Sequence, residues 1–279
     1  MSLPELQPIL KWPGGKRSIA EQIRRCFDGP LPIGRRYYEP FAGSLAVYLH
    51  RYAMGEVQPK MAVLSDANPR LISFYWALRQ CPVRIYDALM RLPHQEGWKS
   101  SFNTLRDDLN LLNTDSFSAE HAALYLWYNR ACFNGLMRVN SSDQLNAPCG
   151  DYDALSLPSL KDLERVSKAL DGTILEATSF DKQAPQQGDQ VYLDPPYQGM
   201  FDQYTWDRFP YIQQINLAVW TAYRAERGAF IVLSNSNDPK VRTIYEGLKF
   251  DVREINAAQS ISCKGDGRGQ RGELLVIAK

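Results

Sequence analysis

Apolar positions along the chain follow two rhythms, and the changes between them outline the fold. In residues 18–27, Ile19, Ile23, Cys26 and Phe27 fall on one helical face behind a Ser-x-x-Glu capping box (Ser18, Glu21), and Asp28-Gly29-Pro30 stops the helix. Residues 35–39 then predict a short strand that ends in the turn Pro40-Phe41-Ala42-Gly43, followed by a helix over 45–54. A brief apolar strand, 61–65, ends at Asp66. Asn68-Pro69 next reads as a helix cap with proline at the first helical position, and Leu71, Ile72, Tyr75 and Leu78 continue with helical spacing. Strand, helix, strand, helix is the opening of an α/β fold with a parallel sheet. From about 82 to 135 the pattern is helix after helix. The stretch 138–152 (RVNSSDQLNAPCGDY) is polar and turn-rich, and suits a hairpin or a binding loop. Alternation then resumes with a helix over 159–170, opened by a second capping box (Ser159, Asp162). Strands follow at 173–176, 190–193, 229–233, 250–255 and 273–278. The simplest architecture is an α/β sheet interrupted by a helical insert at roughly 80–158.

Composition narrows the picture little but usefully. With 279 residues, 44% of them hydrophobic, the chain can build one large domain, or a core domain carrying an insert. Lys plus Arg is 32 against 31 Asp plus Glu, a net +1 that excludes a protein coating nucleic acid by bulk charge and leaves room for local basic faces. Two such clusters stand out: Arg35-Arg36, and the glycine-rich KGDGRGQRG loop at 264–272 with Lys264, Arg268 and Arg271. No apolar run approaches the ~18 residues of a membrane span, and the start has no signal-peptide pattern. Five unpaired-looking cysteines favour a reduced, cytoplasmic protein, and the three histidines have no metal-ligand spacing. No membrane partner and no metal are expected.

Four stretches carry candidate chemistry. Val191-Tyr192-Leu193 ends in Asp194-Pro195-Pro196-Tyr197. The two prolines fix φ and remove two backbone donors, so the Pro195 carbonyl points in one direction with no competing N–H nearby. A carboxylate, an oriented carbonyl and a flat ring make a receptor for a planar heterocycle bearing an exocyclic amine; a proline-rich turn after a strand is the plainer alternative. Glu39-Pro40-Phe41-Ala42-Gly43, with Asp66 closing the next strand 23 residues after Gly43, has nearly the spacing of a glycine turn and a ribose-binding acid. A tight turn and a helix-capping aspartate would look the same. Lys11-Trp12-Pro13-Gly14-Gly15-Lys16 exposes backbone N–H groups before a helix but fails as a phosphate loop, since Arg17 follows Lys16. In 128–140 (YNRACFNGLMRVN), Asn, Arg and aromatic residues alternate at the edge of the insert; Asn suits the edge of adenine and Arg that of guanine, though a solvated helix end reads equally well.

Taken together and in order, these stretches resemble the Dam-like family of DNA adenine-N6 methyltransferases: KWPGGK, EPFAG, SDANPRLISFYWALR, NRACFNGLMRVN with NAPCGDY, LDPPY and SISCKGDGRGQRGELLVI. The resemblance implies S-adenosylmethionine as cofactor and double-stranded DNA as partner. It implies a Rossmann-like, mostly parallel seven-stranded sheet with one reversed strand: an AdoMet-dependent catalytic domain of 1–80 and 158–279, and an inserted, mainly helical target-recognition domain of 81–157. Trp12, Gly14, Gly15 and Lys16, with Glu39, Phe41, Ala42 and Gly43, would hold the methionine end of the cofactor. Asp66 would take the ribose, Ala67 would lie against the adenine ring, and Ser179 and Phe180 would contact the cofactor's base. Asp194, Pro195, Pro196 and Tyr197 would hold the target adenine, with Asp194 also beside the cofactor. Lys11, Phe133, Asn134, Leu136, Arg138 and Pro148 would read or wedge the DNA. Leu45 stands where the family's glycine motif has its second glycine, a place where a side chain is expected to crowd the cofactor.

Rival readings stay open from the sequence. Pro148-Cys149 allows a cysteine nucleophile of the cytosine-C5 type. The same fold could serve an amine of adenine or guanine in RNA, the cytosine N4 amine in DNA, or a DNA-binding protein without catalysis. GATC is the site expected of near relatives, and a cognate restriction endonuclease is a further candidate partner. The reading requires Asp194 to open onto the rim that carries Gly43 and Asp66.

Overall fold

The computed structural model describes residues 6–112, 117–197, 209–258 and 270–279. A 3-10 turn, Arg17–Ile19, leads into α1 (Ala20–Arg24), followed by β1 (Tyr37–Glu39), α2 (Ala46–Ala53), β2 (Ala62–Asp66) and α3 (Pro69–Gln80). Three helices follow, α4 (Pro82–Arg91), α5 (Phe102–Asn110) and α6 (Ala119–Ala131), and then α7 (Leu160–Leu170), β3 (Ile174–Ala177) and β4 (Gln190–Leu193). The chain ends with α8 (Tyr211–Ala225), β5 (Phe230–Ser236), α9 (Pro239–Gly247), β6 (Asp251–Ala258) and β7 (Gln270–Ala278).

The seven strands form one sheet in the order β3-β2-β1-β4-β5-β7-β6. β1 pairs in parallel with both β2 and β4, β2 with β3, and β4 with β5; β7 runs antiparallel to β5 and β6 and is the one reversed strand. The sheet is thus α/β, mostly parallel and seven-stranded. The chain lays β1, β2 and β3 outward in one direction, then returns to place β4 on the other side of β1. This reversal makes a crevice between the carboxyl ends of β1 and β4, where open α/β sheets bind ligands.

Successive strand residues point to opposite faces, and the core divides accordingly. Tyr37, Leu64, Tyr192, Val232 and Leu275 join one buried cluster, and Tyr38, Val63, Val191, Leu193 and Leu233 join the other. The insert segment does not carry a core of its own: Trp98, Phe102, Trp127 and Tyr128 lie in the same cluster as Tyr37 and Leu64. A shared core packs this segment against the sheet.

The Ser159–Asp162 capping box forms as expected, and Asn68 caps α3 by accepting from Leu71 N. The Ser18–Glu21 box does not cap α1, which begins at Ala20 with no side-chain capping bond. Glu21 instead faces Arg24, Arg25 and His50, at 2.6, 2.8 and 2.9 Å, and these side-chain partners, two of them guanidinium groups, outcompete a backbone N–H. The polar stretch after α6 is a hairpin, with antiparallel bridges Cys132↔Cys149 and Val139↔Leu145. Among the described residues, no helix is long and apolar enough to cross a membrane.

Candidate active site

Parallel pairing of β1 with β2 and β4 brings Glu39, Asp66 and Asp194 to one rim. Gly43 is part of the turn that leaves β1, and its N–H donates to Asp66 Oδ2 at 3.0 Å while the Tyr75 hydroxyl donates to its carbonyl at 2.7 Å. Its φ of +45° and the closeness of the Trp12 indole both call for glycine: a Cβ here would lie 2.8 Å from Trp12 Nε1. The motifs around Trp12 and Gly43 are therefore in direct contact. Asp66 also accepts from Asn68 N at 3.0 Å, so each oxygen of its carboxylate holds one backbone N–H. Burial still pushes the carboxyl up to about 6. Ala67 is exposed beside it. Ser179, exposed, and Phe180, buried, follow β3 at the same edge, and Thr178 N donates to Asp66 O at 2.9 Å. Phe180 packs against Phe41, Phe209 and Trp220, so its ring belongs chiefly to the core.

Leu45 does not project into the crevice. It adopts the left-handed conformation a glycine would take (φ 62°), and its side chain is fully buried in the first core cluster. The expected crowding is absent because the backbone turns as it would for glycine and sends the side chain inward.

Asp194 follows β4 directly and is 21% exposed, opening to the rim. Lys16, only 3% exposed, places Nζ 2.9 Å from Asp194 Oδ1 and 4.7 Å from the centre of the Tyr197 ring. Burial works against the ammonium, but Asp194, Tyr197 and Glu273 outweigh it and leave the Lys16 pKa raised. Burial raises the Asp194 pKa, and Lys16 and Ser234 pull it back; the ion pair at 2.9 Å is the state the geometry favours. The turn itself is pinned from behind: Gln214 Nε2 donates to the Pro196 carbonyl at 3.1 Å, and Asn235 Nδ2 donates to Gln214 Oε1 at 2.9 Å.

Three further groups here were not singled out from sequence. Ser234 of β5 donates to Asp194 Oδ1 at 3.0 Å, and Tyr192 OH lies 2.8 Å from Ser234 Oγ. Glu273 of β7 is 6% exposed, and among the described residues its Oε2 is buried without a hydrogen-bond partner. Burial raises its pKa, with Lys16 pulling it back. Strand alternation could have found Ser234, which shares a face with Tyr192; Glu273 lies opposite Ser236 in the register. Glu39 accepts from Tyr37 OH at 2.7 Å, and burial raises its carboxyl to about 8.

The expected DNA-reading residues gather at the hairpin and the amino-terminal segment. Asn129 grips Lys11 at both backbone groups, accepting from its N and donating to its O, each at 2.8 Å. Lys11 Nζ lies 4.5 Å from the centre of the Tyr152 ring, and Tyr152 OH accepts from Asn134 N at 3.2 Å. Phe133 is 39% exposed and Pro148 is exposed beside it, with Phe133 N donating to Pro148 O. Leu136 is 4% exposed, so its side chain supports this surface from below. Arg138 is held by Asn146, at 2.8 Å to Oδ1 and 3.0 Å to O. The hairpin tip is tied to α3 by Arg70, whose Nη1 lies 3.2 Å from Asp143 Oδ2. Lys264 and Arg268 lie outside the described residues; Arg271 belongs to β7, in register with Ala257. Among the described residues, no group of three or more His, Cys, Asp or Glu could hold a metal ion.

The family model for D12 class N6 adenine-specific DNA methyltransferases matches residues 12–261. Among curated proteins, the type II methyltransferase M.MjaIII of Methanocaldococcus jannaschii is 32% identical over 290 residues, covering 98% of this chain and 99% of that protein. The type II methyltransferase M1.LlaDCHI of Lactococcus lactis subsp. cremoris is 31% identical, with 97% and 95% covered. The DNA adenine methylase of Vibrio cholerae is 32% identical, with 96% and 95% covered.

Proposed function

Because the chain belongs to the D12 class of N6 adenine-specific DNA methyltransferases, we propose that it transfers a methyl group from S-adenosylmethionine to the N6 amine of an adenine extruded from double-stranded DNA. The observation that carries this reading is the opening of Asp194 onto the β1/β4 crevice, on the same rim as Gly43 and Asp66. The residues of the rim fit the cofactor. Asp66 is a carboxylate already oriented by two backbone N–H groups, with exposed Ala67 beside it and a glycine turn against which the Trp12 indole packs. Asp66 takes the ribose hydroxyls, Ala67 and Ser179 flank the base, and Trp12, Gly14, Gly15, Phe41, Ala42 and Gly43 line the methionine end. When bound, the cofactor supplies an electrophilic methyl group.

Adenine's amine is a weak nucleophile because its lone pair is delocalised into the ring. The Asp194 carboxylate and the Pro195 carbonyl accept the two amine hydrogens and favour the pyramidal nitrogen that develops as the new bond forms; one of those hydrogens then leaves as a proton to solvent, giving the neutral methylated amine. Stabilisation that grows towards the transition state is the kind that raises rate. Tyr197 stacks on the base and fixes its plane. Positioning supplies much of the rest, with no covalent enzyme intermediate.

Residues 81–157 act as the target-recognition segment. Lys11, Asn134 and Arg138 read the site, while Phe133 and Pro148 form the exposed wedge that fills the gap left by the extruded base. Lys264, Arg268 and Arg271 grip phosphates. The protein works in the cytoplasm, and a cognate restriction endonuclease is the proposed partner, on the strength of the type II names of two relatives.

The test is methylation of a random-sequence DNA pool with labelled S-adenosylmethionine, followed by mapping of the modified bases, with GATC the first context to score. Label in N6-methyladenine at a defined site is the expected result. Label in N4- or C5-methylcytosine, label only in RNA, or no label at all refutes the reading.

A further inference from the structure

Both contacts described for the Asp194 carboxylate fall on the same oxygen. Lys16 Nζ lies 2.9 Å from Oδ1, and Ser234 Oγ donates to Oδ1 at 3.0 Å. Ser234 has a single hydroxyl proton and spends it on Asp194, so the Tyr192 hydroxyl, 2.8 Å away, must donate to Ser234. Tyr192 and Ser234 are fully buried, and the strand register explains why they meet: Leu193 pairs with Leu233, so the next residues, Asp194 and Ser234, come side by side, with Tyr192 on the same face. The result is a one-way chain, Tyr192 to Ser234 to Asp194, anchored in the core and ending on one carboxylate oxygen.

We propose that Ser234, together with Lys16, is a positioning residue for methyl transfer: the two fix the carboxylate through Oδ1 and thereby present Oδ2 to the target amine. This rests on the adenine-methylation reading and gives Lys16 a task other than holding the cofactor. A carboxylate free to rotate would have to be ordered during each turnover, whereas one already held by two donors at one oxygen leaves the other preorganised. Lys16 contributes charge as well as direction. Its ammonium, shut away from water, favours the ionised carboxylate, the form that can only accept hydrogen bonds and so can take an amine hydrogen.

The experiment compares wild type, Ser234→Ala, Ser234→Thr and Lys16→Met in single-turnover methylation of a cognate duplex across pH. Equilibrium binding of S-adenosylmethionine and of DNA is measured alongside. Ser234→Ala is expected to slow methyl transfer roughly tenfold to hundredfold, the loss expected for one hydrogen bond to a charged group. Both binding constants should hold, and Ser234→Thr, which keeps the hydroxyl, should restore most of the rate. In Lys16→Met the acid limb of the pH–rate profile moves to higher pH, because an unpaired Asp194 protonates more readily. Ser234→Ala at the wild-type rate, or Ser234→Thr no better than Ala, overturns the proposal. Lys16→Met that weakens cofactor binding but keeps the rate and profile overturns its lysine half. Should Lys16→Met fail to fold, the serine pair decides alone. A wild-type enzyme that methylates no adenine refutes the underlying function; an active wild type with an indifferent Ser234→Ala refutes only the clamp.

Discussion

Gly43→Ala is the sharpest test of how the cofactor side of the crevice is built. The residue has φ +45°, and the added Cβ would stand 2.8 Å from Trp12 Nε1 and 3.0 Å from Trp12 Cδ1. Neither partner can yield cheaply. Gly43 is pinned by its N–H on Asp66 and its carbonyl on Tyr75, and Trp12 is a rigid ring rather than the end of a flexible chain. Two costs can be separated. The left-handed backbone costs an L-residue about 1–2 kcal/mol, and forcing extra volume into a packed contact adds about 1–3 kcal/mol. Gly34 provides the internal control, because its φ is +77° and no neighbouring atom lies within 4 Å of the place an added methyl would occupy. Gly34→Ala should therefore show the backbone cost alone, and the difference between the two variants measures the Trp12 contact. If Trp12 lines the methionine end, its displacement should weaken S-adenosylmethionine binding about tenfold to hundredfold, equivalent to about 1.4–2.7 kcal/mol. DNA affinity should stay near wild type. Calorimetric titration of the cofactor with denaturant unfolding of both variants reads all three quantities. Equal destabilisation by the two alanines, or Gly43→Ala with wild-type cofactor affinity, refutes the argument.

Gly135→Ala should do the converse, since its Cβ would fall 2.4 Å from Lys11 Cβ: DNA binding weakens in a gel-shift titration while cofactor binding is unchanged. Asp66 gives a pH prediction with two opposite signs. Its folded pKa of about 6 stands above the ordinary 3.8, so the ligand-free fold binds the extra proton and loses stability as pH rises through that window, followed by thermal melts. Cofactor affinity, which needs the ionised carboxylate for ribose hydroxyls, instead falls as pH drops through about 6, and Asp66→Asn flattens that dependence in titrations. Asp194→Ala should abolish methyl transfer and also cost about 3 kcal/mol in denaturant unfolding, because it takes from the buried Lys16 ammonium the carboxylate 2.9 Å away and leaves Glu273 as its remaining acidic neighbour. Cys149→Ser should methylate at nearly the wild-type rate: burial raises the Cys149 thiol, the opposite of what a nucleophilic thiolate requires, and the residue sits across the hairpin stem from Cys132.

Much of the scaffold was legible because strands and helices write their periods directly into the chain. All seven strands fall where short apolar runs predicted them, with the sheet edges extended: β6 runs to Ala258 and β7 starts at Gln270. The Asn68 and Ser159 caps were readable because each acts on a backbone group three residues away. Ser18–Glu21 has the same local signature, yet Glu21 is claimed by Arg24, Arg25 and His50, and His50 is 29 residues away. Arg24 and Arg25 are local competitors, whereas the His50 contact is tertiary and leaves no local mark. Alternation puts Ser234 on the face of Tyr192 once the β4–β5 register is known, and Glu273 reaches the site only through the β5–β7 register. The candidate motifs named the acceptor Asp194; the groups that orient it came from strands whose pairing no motif records.

The six residues from Lys11 to Lys16 join parts of the site that the chain otherwise keeps far apart. Lys11 is locked at both backbone groups by Asn129 and leans on Tyr152 and Gly135 at the hairpin. Its neighbour Trp12 packs on Gly43, and Lys16 ends on Asp194. The segment between them is short and turned, with Gly15 N donating to Trp12 O at 3.2 Å, so a shift at one end has little slack in which to dissipate. Asn129 is fully buried, and replacing it with a side chain that cannot bond both backbone groups would strand a donor and an acceptor on Lys11. Asn129→Leu, close in volume, therefore serves as the test of this connection. It should weaken DNA binding through Lys11 and also slow single-turnover methyl transfer at saturating DNA, because Lys16 is carried on the same strap. A variant that loses DNA affinity but keeps its saturated rate would mean that the two ends of the segment act independently.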